Sequence, residues 1–349
     1  MAAIYGGRWA IKESLQEGGQ AHTFLVSDVK GSNDNLYVLK RLKNPTRLGR
    51  FKSEIGAIRD LVHENILKLV DFDLEAEKPY LVSEYCIGGS LEEADKFWLD
   101  SPLRALSIFR EICAGVSYAH GKGVIHRDIK PGNIFLRSPA GPAVVGDFGL
   151  CLLESDLDRM TLSDEAVGSR LYMAPELEDG RLDKVTSAVD IYSLGKLLYW
   201  LLSGGKVFSR EKYRDIENDL KGRNEDSVLG WNNIYLEHVN RLLDRMIVTD
   251  PIRRFNINQI KIFLKRISKL VEREYNPVSD SIRQLCTYCG IGYYVIAVSG
   301  NPSDVRNFGF SPIAASEWKI LVCNECGHVQ SFRLDHASRT LSWKSINNN

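Results

Sequence analysis

Two short segments in the middle of the chain carry side chains that suit phosphate chemistry assisted by metal ions. Residues 126–133 have the sequence HRDIKPGN, and residues 147–149, fourteen positions after Asn133, have the sequence DFG. One carboxylate can accept the proton of an attacking hydroxyl group, while a second carboxylate and a carboxamide can ligate a hard cation such as Mg²⁺. A lysine between them can neutralise charge on a phosphoryl group. The spacing therefore predicts a site for phosphoryl transfer.

In their order and spacing, the two segments resemble the catalytic loop and the metal-binding motif of protein kinases. The resemblance covers roughly residues 8–272. It implies that Asp128 is the catalytic base, that Lys130 contacts the γ-phosphate, and that Asn133 and Asp147 bind Mg²⁺ with ATP as the donor. A lysine two residues after the Asp resembles the Ser/Thr kinases and not the tyrosine kinases. The expected substrate is therefore a protein with a Ser or Thr acceptor.

The residues expected to hold the nucleotide precede the catalytic loop. Lys40 ends a strand-like run and resembles the lysine that pairs with the α- and β-phosphates, and Glu54 resembles its ion-pair partner on the following helix. Ser83, Glu84 and Cys86 fall on the segment that binds adenine in protein kinases. Ser83 occupies the position that controls access to a rear pocket, so a small residue there predicts extra volume.

The loop expected to cover the phosphates matches the family least well. Gly18 lies on a family glycine, whereas Gln16 and Ala21 replace the two outer glycines and Gly19 adds one. Glycines at these positions let backbone N–H groups approach phosphate closely. The departure keeps open the alternative of a pseudokinase scaffold, which would bind nucleotide or partners without phosphoryl transfer. The expected nucleotide contacts in this loop are Gln16, Glu17, Gly18, Gly19, Gln20 and Ala21.

The segment from Asp147 to Glu176 resembles the activation segment of protein kinases. Arg127 resembles the arginine that often meets a phosphorylated residue of this segment through charge-assisted hydrogen bonds. Thr161 and Ser163 are both candidates for that residue, and an unmodified segment remains an alternative.

Three further residues resemble structural positions of the family. Asp190 matches the residue that braces the catalytic loop, and Glu176 and Arg254 match a buried ion pair.

The hydrophobic pattern predicts the elements that must position these residues. Residues 8–85 are strand-rich with one helix, and from about residue 90 the pattern is helical. Ser101 is predicted to be the N-cap of a helix with Pro102 at its first position. With the resemblance, this pattern predicts an α+β, bilobal protein kinase fold, with a β-rich N-lobe and a helical C-lobe, plus a small β-rich zinc ribbon.

The zinc ribbon is predicted from two Cys-x2-Cys pairs near the C-terminus. Four thiolates on two turns, each followed by glycine, suit a closed structural Zn²⁺ site. The 33 residues between the pairs exceed the usual spacing, which is roughly 15–20, and a loop insertion would account for the excess. The predicted division is a kinase domain at 8–272, a linker at 273–282 and a zinc-ribbon-like domain at 283–345. The predicted zinc ligands are Cys286, Cys289, Cys323 and Cys326.

Composition limits the expected partners. The formal net charge of the 349 residues is zero, which gives no global argument for nucleic acid or an anionic membrane. No apolar stretch approaches the length of a membrane-spanning helix, and the N-terminus does not resemble a signal peptide, so a cytoplasmic protein is expected. For the ribbon we expect a protein partner, with nucleic acid the less favoured alternative and a purely structural role also open.

Overall fold

The computed structural model describes residues 4–15, 21–31, 35–148, 170–178, 185–208, 235–275, 294–300, 318–323 and 327–333. The chain forms two compact units, residues 1–265 and residues 266–349. Within the described ranges, no helix combines the length and the apolar character that crossing a bilayer requires.

The first unit begins with a six-stranded antiparallel sheet. Its strands are β1 (Ile4–Tyr5), β2 (Trp9–Ser14), β3 (Ala21–Asp28), β4 (Leu36–Leu42), β5 (Leu69–Asp73) and β6 (Tyr80–Glu84). They follow the order β1-β2-β3-β4-β6-β5. One helix, α1 (Leu48–Ile58), connects β4 to β5.

The alternation of side chains along β4 and β6 places the site residues of the sheet on one face. Leu39 and Val82 are register partners and belong to a buried cluster on one side of the sheet. Their neighbours Lys40 and Leu81 are also register partners, and they point to the opposite side because successive side chains alternate. Leu81 packs there against Ile55 of α1. Lys40 therefore lies on the side of the sheet that α1 covers.

The rest of the first unit is mainly helical. Its elements are α2 (Pro102–Gly121), the hairpin β7 (Ile134–Leu136) and β8 (Ala143–Val145), α3 (Pro175–Glu178), α4 (Ala188–Leu202) and α5 (Tyr235–Met246). A final helix, α6 (Ile257–Tyr275), contains the point where the two units divide. Of the 15 residues in α4, 14 are buried. A helix that is buried on nearly all sides lies at the centre of a lobe, and α4 has this role.

Most of the predicted elements appear close to their predicted positions, with four differences. Ser101 has the extended backbone of an N-cap, but its side chain makes no capping hydrogen bond. Helix α6 continues to Tyr275, beyond the predicted end of the kinase domain at residue 272, and so includes the first three residues assigned to the linker. Strand β1 and the hairpin β7–β8 were not predicted, because runs of two or three residues are too short to show a period.

The second unit contains a three-stranded antiparallel sheet in the order β11-β10-β9. Its strands are β9 (Tyr294–Gly300), β10 (Trp318–Cys323) and β11 (Val329–Arg333). Strand β10 is central, and its first residue, Trp318, pairs with Gly300 on one side and Arg333 on the other. A β-rich structure was predicted for this part of the chain, and these strands agree with that prediction.

Candidate active site

The segment that contains Asp128 is held in place by one buried carboxylate. Asp190 lies in the first turn of α4 and its side chain is fully buried. Its oxygens accept hydrogen bonds from the backbone N–H of His126 at 2.9 Å and of Arg127 at 2.7 Å. The Nε2 of His120 lies 2.8 Å from the same carboxylate. Helix α4 therefore fixes the backbone immediately before Asp128.

Two residues of the site have a left-handed backbone that only glycine adopts without strain. Arg127 has a φ of 67° and Asp147 a φ of 55°. Such a conformation costs of order 1–3 kcal/mol and persists when surrounding contacts impose it. At Arg127 the contact is the hydrogen bond to Asp190. Strain at these two positions is consistent with a functional site.

The carboxylate of Asp128 has two partners from its own loop. Lys130 Nζ donates to Asp128 Oδ2 at 3.0 Å, and Asn133 Nδ2 donates to the same oxygen at 2.9 Å. Asn133 Nδ2 also donates to the backbone oxygen of Asp128 at 2.7 Å. Because both amide hydrogens of Asn133 are used, its side-chain oxygen is the atom that remains for a cation.

The segment with Asp147 is attached to the same loop. The N–H of Gly146 donates to the backbone oxygen of Asn133 at 2.9 Å. His126 Nε2 lies 2.8 Å from the Gly146 oxygen, while His126 Nδ1 accepts from the N–H of Asp128. This pattern assigns the proton of a neutral His126 to Nε2. Lys40 Nζ donates to Asp147 Oδ1, so one charged pair joins the sheet to this segment.

The donor set formed by Asn133 and Asp147 fits a hard cation. A carboxylate and an amide oxygen are ligands that Mg²⁺ prefers, and they are commonly completed by water and substrate phosphate. Lys130 beside Asp128 and Lys40 beside Asp147 place two ammonium groups where phosphate oxygens would need positive charge. The side chains of Lys40, Asp128, Lys130 and Asp147 are 15–26 % exposed, so a ligand can reach them.

A pocket lies behind the predicted adenine segment. It is lined by the sheet, by α1 and by the metal-binding motif, with Lys40, Leu81, Ser83, Asp147 and Phe148 among its walls. Ser83 is 5 % exposed and its small side chain faces this space. The sequence expectation of extra volume at this position agrees with the geometry.

Glu84 and Cys86 have different surroundings in the adenine segment. The Glu84 carboxylate receives two hydrogen bonds from Arg137, at 2.9 and 3.0 Å, so it is occupied by a structural pair. Burial, with a smaller effect of the nearby Glu84 charge, raises the pKa of the Cys86 thiol to about 12. Within the described part of the chain, the backbone N–H of Cys86 has no hydrogen-bond partner. That N–H is thus available to a ligand atom.

The end of the activation segment is fixed by a buried arginine. The side chain of Arg254 is fully buried and donates to both oxygens of Glu176 on α3. Its remaining N–H groups donate to the backbone oxygens of Ala188, Val248 and Thr249 at 2.7–3.1 Å. All five donors of the guanidinium group are therefore satisfied, which attaches α3 to the helical lobe.

The structure describes some of the predicted residues in full, one without its side chain and others not at all. Glu54 lies on α1, but its side chain is not among the described ones. Ala21 begins β3. Cys323 ends β10 and is buried. The predicted residues outside the described ranges are Gln16, Glu17, Gly18, Gly19, Gln20, Thr161, Ser163, Cys286, Cys289 and Cys326.

The predicted partner of Arg127 and three of the four predicted zinc ligands lie outside the described residues. The Nε of Arg127 is buried and lacks a hydrogen-bond partner among the described residues, while its predicted partner in the activation segment lies outside them. No group of three or more potential metal ligands occurs among the His, Cys, Asp and Glu side chains that the structure describes. The zinc site remains a prediction.

Three residues near the site were not identified from the sequence. His120 contacts Asp190, Arg137 holds Glu84, and the Glu92 carboxylate lies against Gly132 of the catalytic loop. Each is separated from its partner by at least 40 positions, so no local pattern could have found these contacts. The spacing of charged residues alone carries too little information for such pairs.

Comparison with known proteins agrees with this geometry. A family model described as the protein kinase domain matches residues 9–262, which is well over half of the chain. The chain therefore belongs to the protein kinase family, and the first unit has the predicted bilobal fold. Strand β1 precedes the matched region.

The curated proteins similar to this chain include bacterial and animal kinases. The serine/threonine-protein kinase Pkn1 of Myxococcus xanthus is 35 % identical over 220 residues, 60 % of this chain and 31 % of its own length. The probable serine/threonine-protein kinase zyg-1 of Caenorhabditis briggsae is 30 % identical over 253 residues, 71 % of this chain and 33 % of its own. The serine/threonine-protein kinase PrkC of Bacillus subtilis (strain 168) is 29 % identical over 255 residues, covering 71 % and 38 %. The chain thus spans about a third of the length of these relatives.

Proposed function

We propose that the chain is a Ser/Thr protein kinase that transfers the γ-phosphate of ATP to protein hydroxyl groups and requires Mg²⁺. The observation that carries the proposal is the cluster in which Lys130 and Asn133 share the Asp128 carboxylate while Lys40 contacts Asp147. Family membership and the relatives described as serine/threonine-protein kinases support it.

Asp128 is proposed to position and deprotonate the acceptor hydroxyl. Its carboxylate oxygen is already oriented by Asn133 Nδ2 and paired with Lys130. When bound, Mg²⁺ and ATP supply the phosphoryl group and the cationic charge that offsets its oxygens. Lys130 then contributes positive charge on the acceptor side, where negative charge develops as the phosphoryl group moves.

Lys40, Asn133 and Asp147 are proposed to hold the donor. The side-chain oxygen of Asn133 and the Asp147 carboxylate would ligate the metal, and Lys40 would leave Asp147 to pair with phosphate oxygens. The free N–H of Cys86 would donate to the adenine ring, next to the pocket behind Ser83. The Asn133 side-chain oxygen and the Cys86 N–H have no partner among the described residues, whereas Lys40 would first have to release Asp147.

Intact-mass measurement with ATP and Mg²⁺ tests the proposal together with the pseudokinase alternative. Phosphate addition to the wild type and not to Asp128→Asn is expected, and peptide mapping should place it on Ser or Thr residues. The variant Asp100→Asn is the matched control, because Asp100 is a largely exposed carboxylate outside the site. Nucleotide binding without phosphate transfer to itself or to a broad set of Ser/Thr peptides would instead support the scaffold.

We also propose that residues 283–345 form a zinc-ribbon-like domain that recruits a protein partner. Cys323 is buried at the end of β10, and its backbone exchanges hydrogen bonds with Gly327 at 3.0 Å and His328 at 2.9 Å. Gly327 has a φ of 72°, the left-handed bend expected of the glycine after a Cys-x2-Cys pair. Both observations support a turn of the kind that presents thiolates to Zn²⁺.

Metal analysis of the full chain tests the zinc proposal. About one zinc ion per chain is expected, since four thiolates make one closed tetrahedral site. The variant Cys323→Ser should lose the metal, whereas Cys86→Ser, which changes a buried cysteine of the kinase unit, should retain it. A wild-type protein that contains no zinc after expression in zinc-supplemented medium would contradict the proposal.

A further inference from the structure

One side of helix α6 carries a run of positively charged residues. Lys261, Lys265 and Lys269 are spaced four residues apart and form one row along the helix, and Ile262 and Arg266 form the neighbouring row. We call these five residues the basic face of α6. The apolar residues of the opposite side are buried, namely Ile257, Ile260, Leu264, Ile267 and Val271.

The charges of the basic face are not balanced by acidic residues of the helix. Residues 257–271 contain no Asp or Glu, and the first acidic residue of α6 is Glu272. Lys261, Lys265 and Arg266 are exposed and form no ion pair or hydrogen bond with the described residues. Because like charges four residues apart on a helix repel each other, this arrangement slightly destabilises α6. An anionic partner on this side would remove the repulsion.

Positive charge continues from α6 to the neighbouring helix α5. The ring centroid of Phe263 on α6 lies 6.0 Å from that of Phe255, and the guanidinium group of Arg245 on α5 lies 5.9 Å from the Phe255 ring. Arg245 is exposed, as is Arg241 one turn earlier on α5. Residues 240–272 contain eight Lys and Arg but three Asp and Glu, although the formal net charge of the whole chain is zero. The basic residues are therefore concentrated in this part of the chain.

Exposed aliphatic side chains accompany these charges. Ile262 belongs to the basic face and is 54 % exposed, and Ile252, in the turn Pro251–Arg253 that precedes α6, is 91 % exposed. Aliphatic side chains among cations suit an anionic bilayer, because the headgroups pair with the charges while the apolar groups enter the boundary of the acyl chains. Single-stranded nucleic acid favours exposed aromatic rings for stacking. Phe255 and Phe263 are half-buried and pack against each other, so the chemistry favours a lipid surface.

We propose that the basic face of α6 binds an anionic membrane surface, with its Lys and Arg side chains contacting lipid headgroups and Ile262 inserted among them. The proposal is independent of phosphoryl transfer, since none of the five residues belongs to the proposed active site. Each Lys or Arg close to an anionic bilayer strengthens binding by about fivefold. The attraction is electrostatic at an exposed surface, so it should weaken as salt is added.

Sedimentation of the full chain with lipid vesicles tests the proposal. Vesicles of phosphatidylcholine alone are compared with vesicles that contain about 30 % phosphatidylserine, at about 0.1 M salt. The wild type should bind the anionic vesicles at least about tenfold more tightly, and salt at about 0.5 M should remove most of the difference. The double variant Lys261→Gln/Lys265→Gln should weaken this binding by about tenfold to thirtyfold, because it removes two of the charges. Ile262→Ser should weaken it by about threefold and leave the salt dependence unchanged.

A matched control separates the basic face from the total charge of the protein. Lys30→Gln/Lys78→Gln removes the same charge from two exposed lysines outside α6 and should bind the anionic vesicles as the wild type does. Lys261→Gln/Lys265→Gln should have a melting temperature equal to or above that of the wild type, because the substitution removes repulsion between like charges. Its loss of vesicle binding would therefore not result from unfolding.

Three results would overturn the proposal. The first is equal binding of the wild type to both kinds of vesicle, and the second is an equal loss of binding in the control variant. The third is binding to duplex DNA or to a polyglutamate peptide without binding to anionic vesicles, which would assign the basic face to a different partner. Peptide phosphorylation in the absence of vesicles should be the same for Lys261→Gln/Lys265→Gln and the wild type, so a failure of membrane binding and a failure of the kinase proposal are distinguishable.

Discussion

Replacing Asp190 by Asn should damage both stability and catalysis, although it changes only one atom. In the wild type, one carboxylate oxygen accepts from the His126 N–H and the other from the Arg127 N–H. An amide offers one oxygen and one NH₂ group. In either orientation, a backbone donor of the catalytic loop therefore faces another donor in a fully buried site.

The magnitude follows from these hydrogen bonds. A buried donor without an acceptor costs about 1–3 kcal/mol, and the remaining bonds lose the strength that an ionic acceptor gives. A loss of about 2–4 kcal/mol is expected, which for a unit of this size lowers the melting temperature by roughly 5–15 °C. Arg127 also loses a contact that holds its φ of 67°. A displacement of Asp128 by about 1 Å would lower kcat about 100-fold.

Differential scanning fluorimetry and peptide phosphorylation measure the two effects of Asp190→Asn. Asp100→Asn is the control, because this carboxylate is 78 % exposed and pairs only with Arg104 at 3.6 Å among the described residues. A melting temperature within 1–2 °C of the wild type, with kcat unchanged, would refute the view that Asp190 positions the loop. A loss of about 1 kcal/mol in stability would already shift the melting temperature by more than this.

Three other perturbations give separate expectations. Ser83→Met should fill the pocket behind the adenine segment. An ATP-site inhibitor with a bulky substituent should therefore lose about tenfold or more in potency, while the KM for ATP changes little. Equal potency against the wild type and the variant would contradict this expectation. Cys86, with its pKa raised to about 12, should react with iodoacetamide at pH 8 at least about 100-fold more slowly than in the denatured chain, as followed by peptide mass spectrometry. Arg8 holds the pKa of Asp28 below its ordinary 3.8, so the pair stabilises the fold above that pH and the benefit is lost as pH falls through the lowered value. Asp28→Asn should therefore lower the melting temperature at pH 7, with the difference from the wild type shrinking toward pH 3.

The local elements of the fold could be predicted because hydrophobic periodicity and turn residues mark them in the sequence. The strand-like run predicted to end at Lys40 lies within two residues of the end of β4, which is Leu42. Ser101 shows the limit of local rules, since it occupies the N-cap position without making the capping bond. A sequence pattern specifies the backbone of a cap better than the orientation of its side chain.

The geometry of the site depends on contacts that no local pattern contains. The strained backbone of Arg127 is imposed in part by Asp190, 63 residues away in sequence. The approach of Glu92 to the catalytic loop requires both the fold and the missing side chain at Gly132. The motif predicted which residues meet, while the fold determines how Asp128 is held and which neighbouring charges approach the loop.

Phosphate transfer to a mixture of Ser/Thr peptides in the presence of ATP and Mg²⁺ tests the central claim most directly. The wild type and Asp100→Asn should incorporate phosphate, and Asp128→Asn should lose at least about 100-fold of the rate, because general-base assistance contributes about 10²–10⁴-fold. Incorporation at equal rates by the wild type and Asp128→Asn would contradict the assignment of Asp128 as the catalytic base. The absence of transfer by the wild type, with nucleotide binding intact, would contradict the kinase function itself.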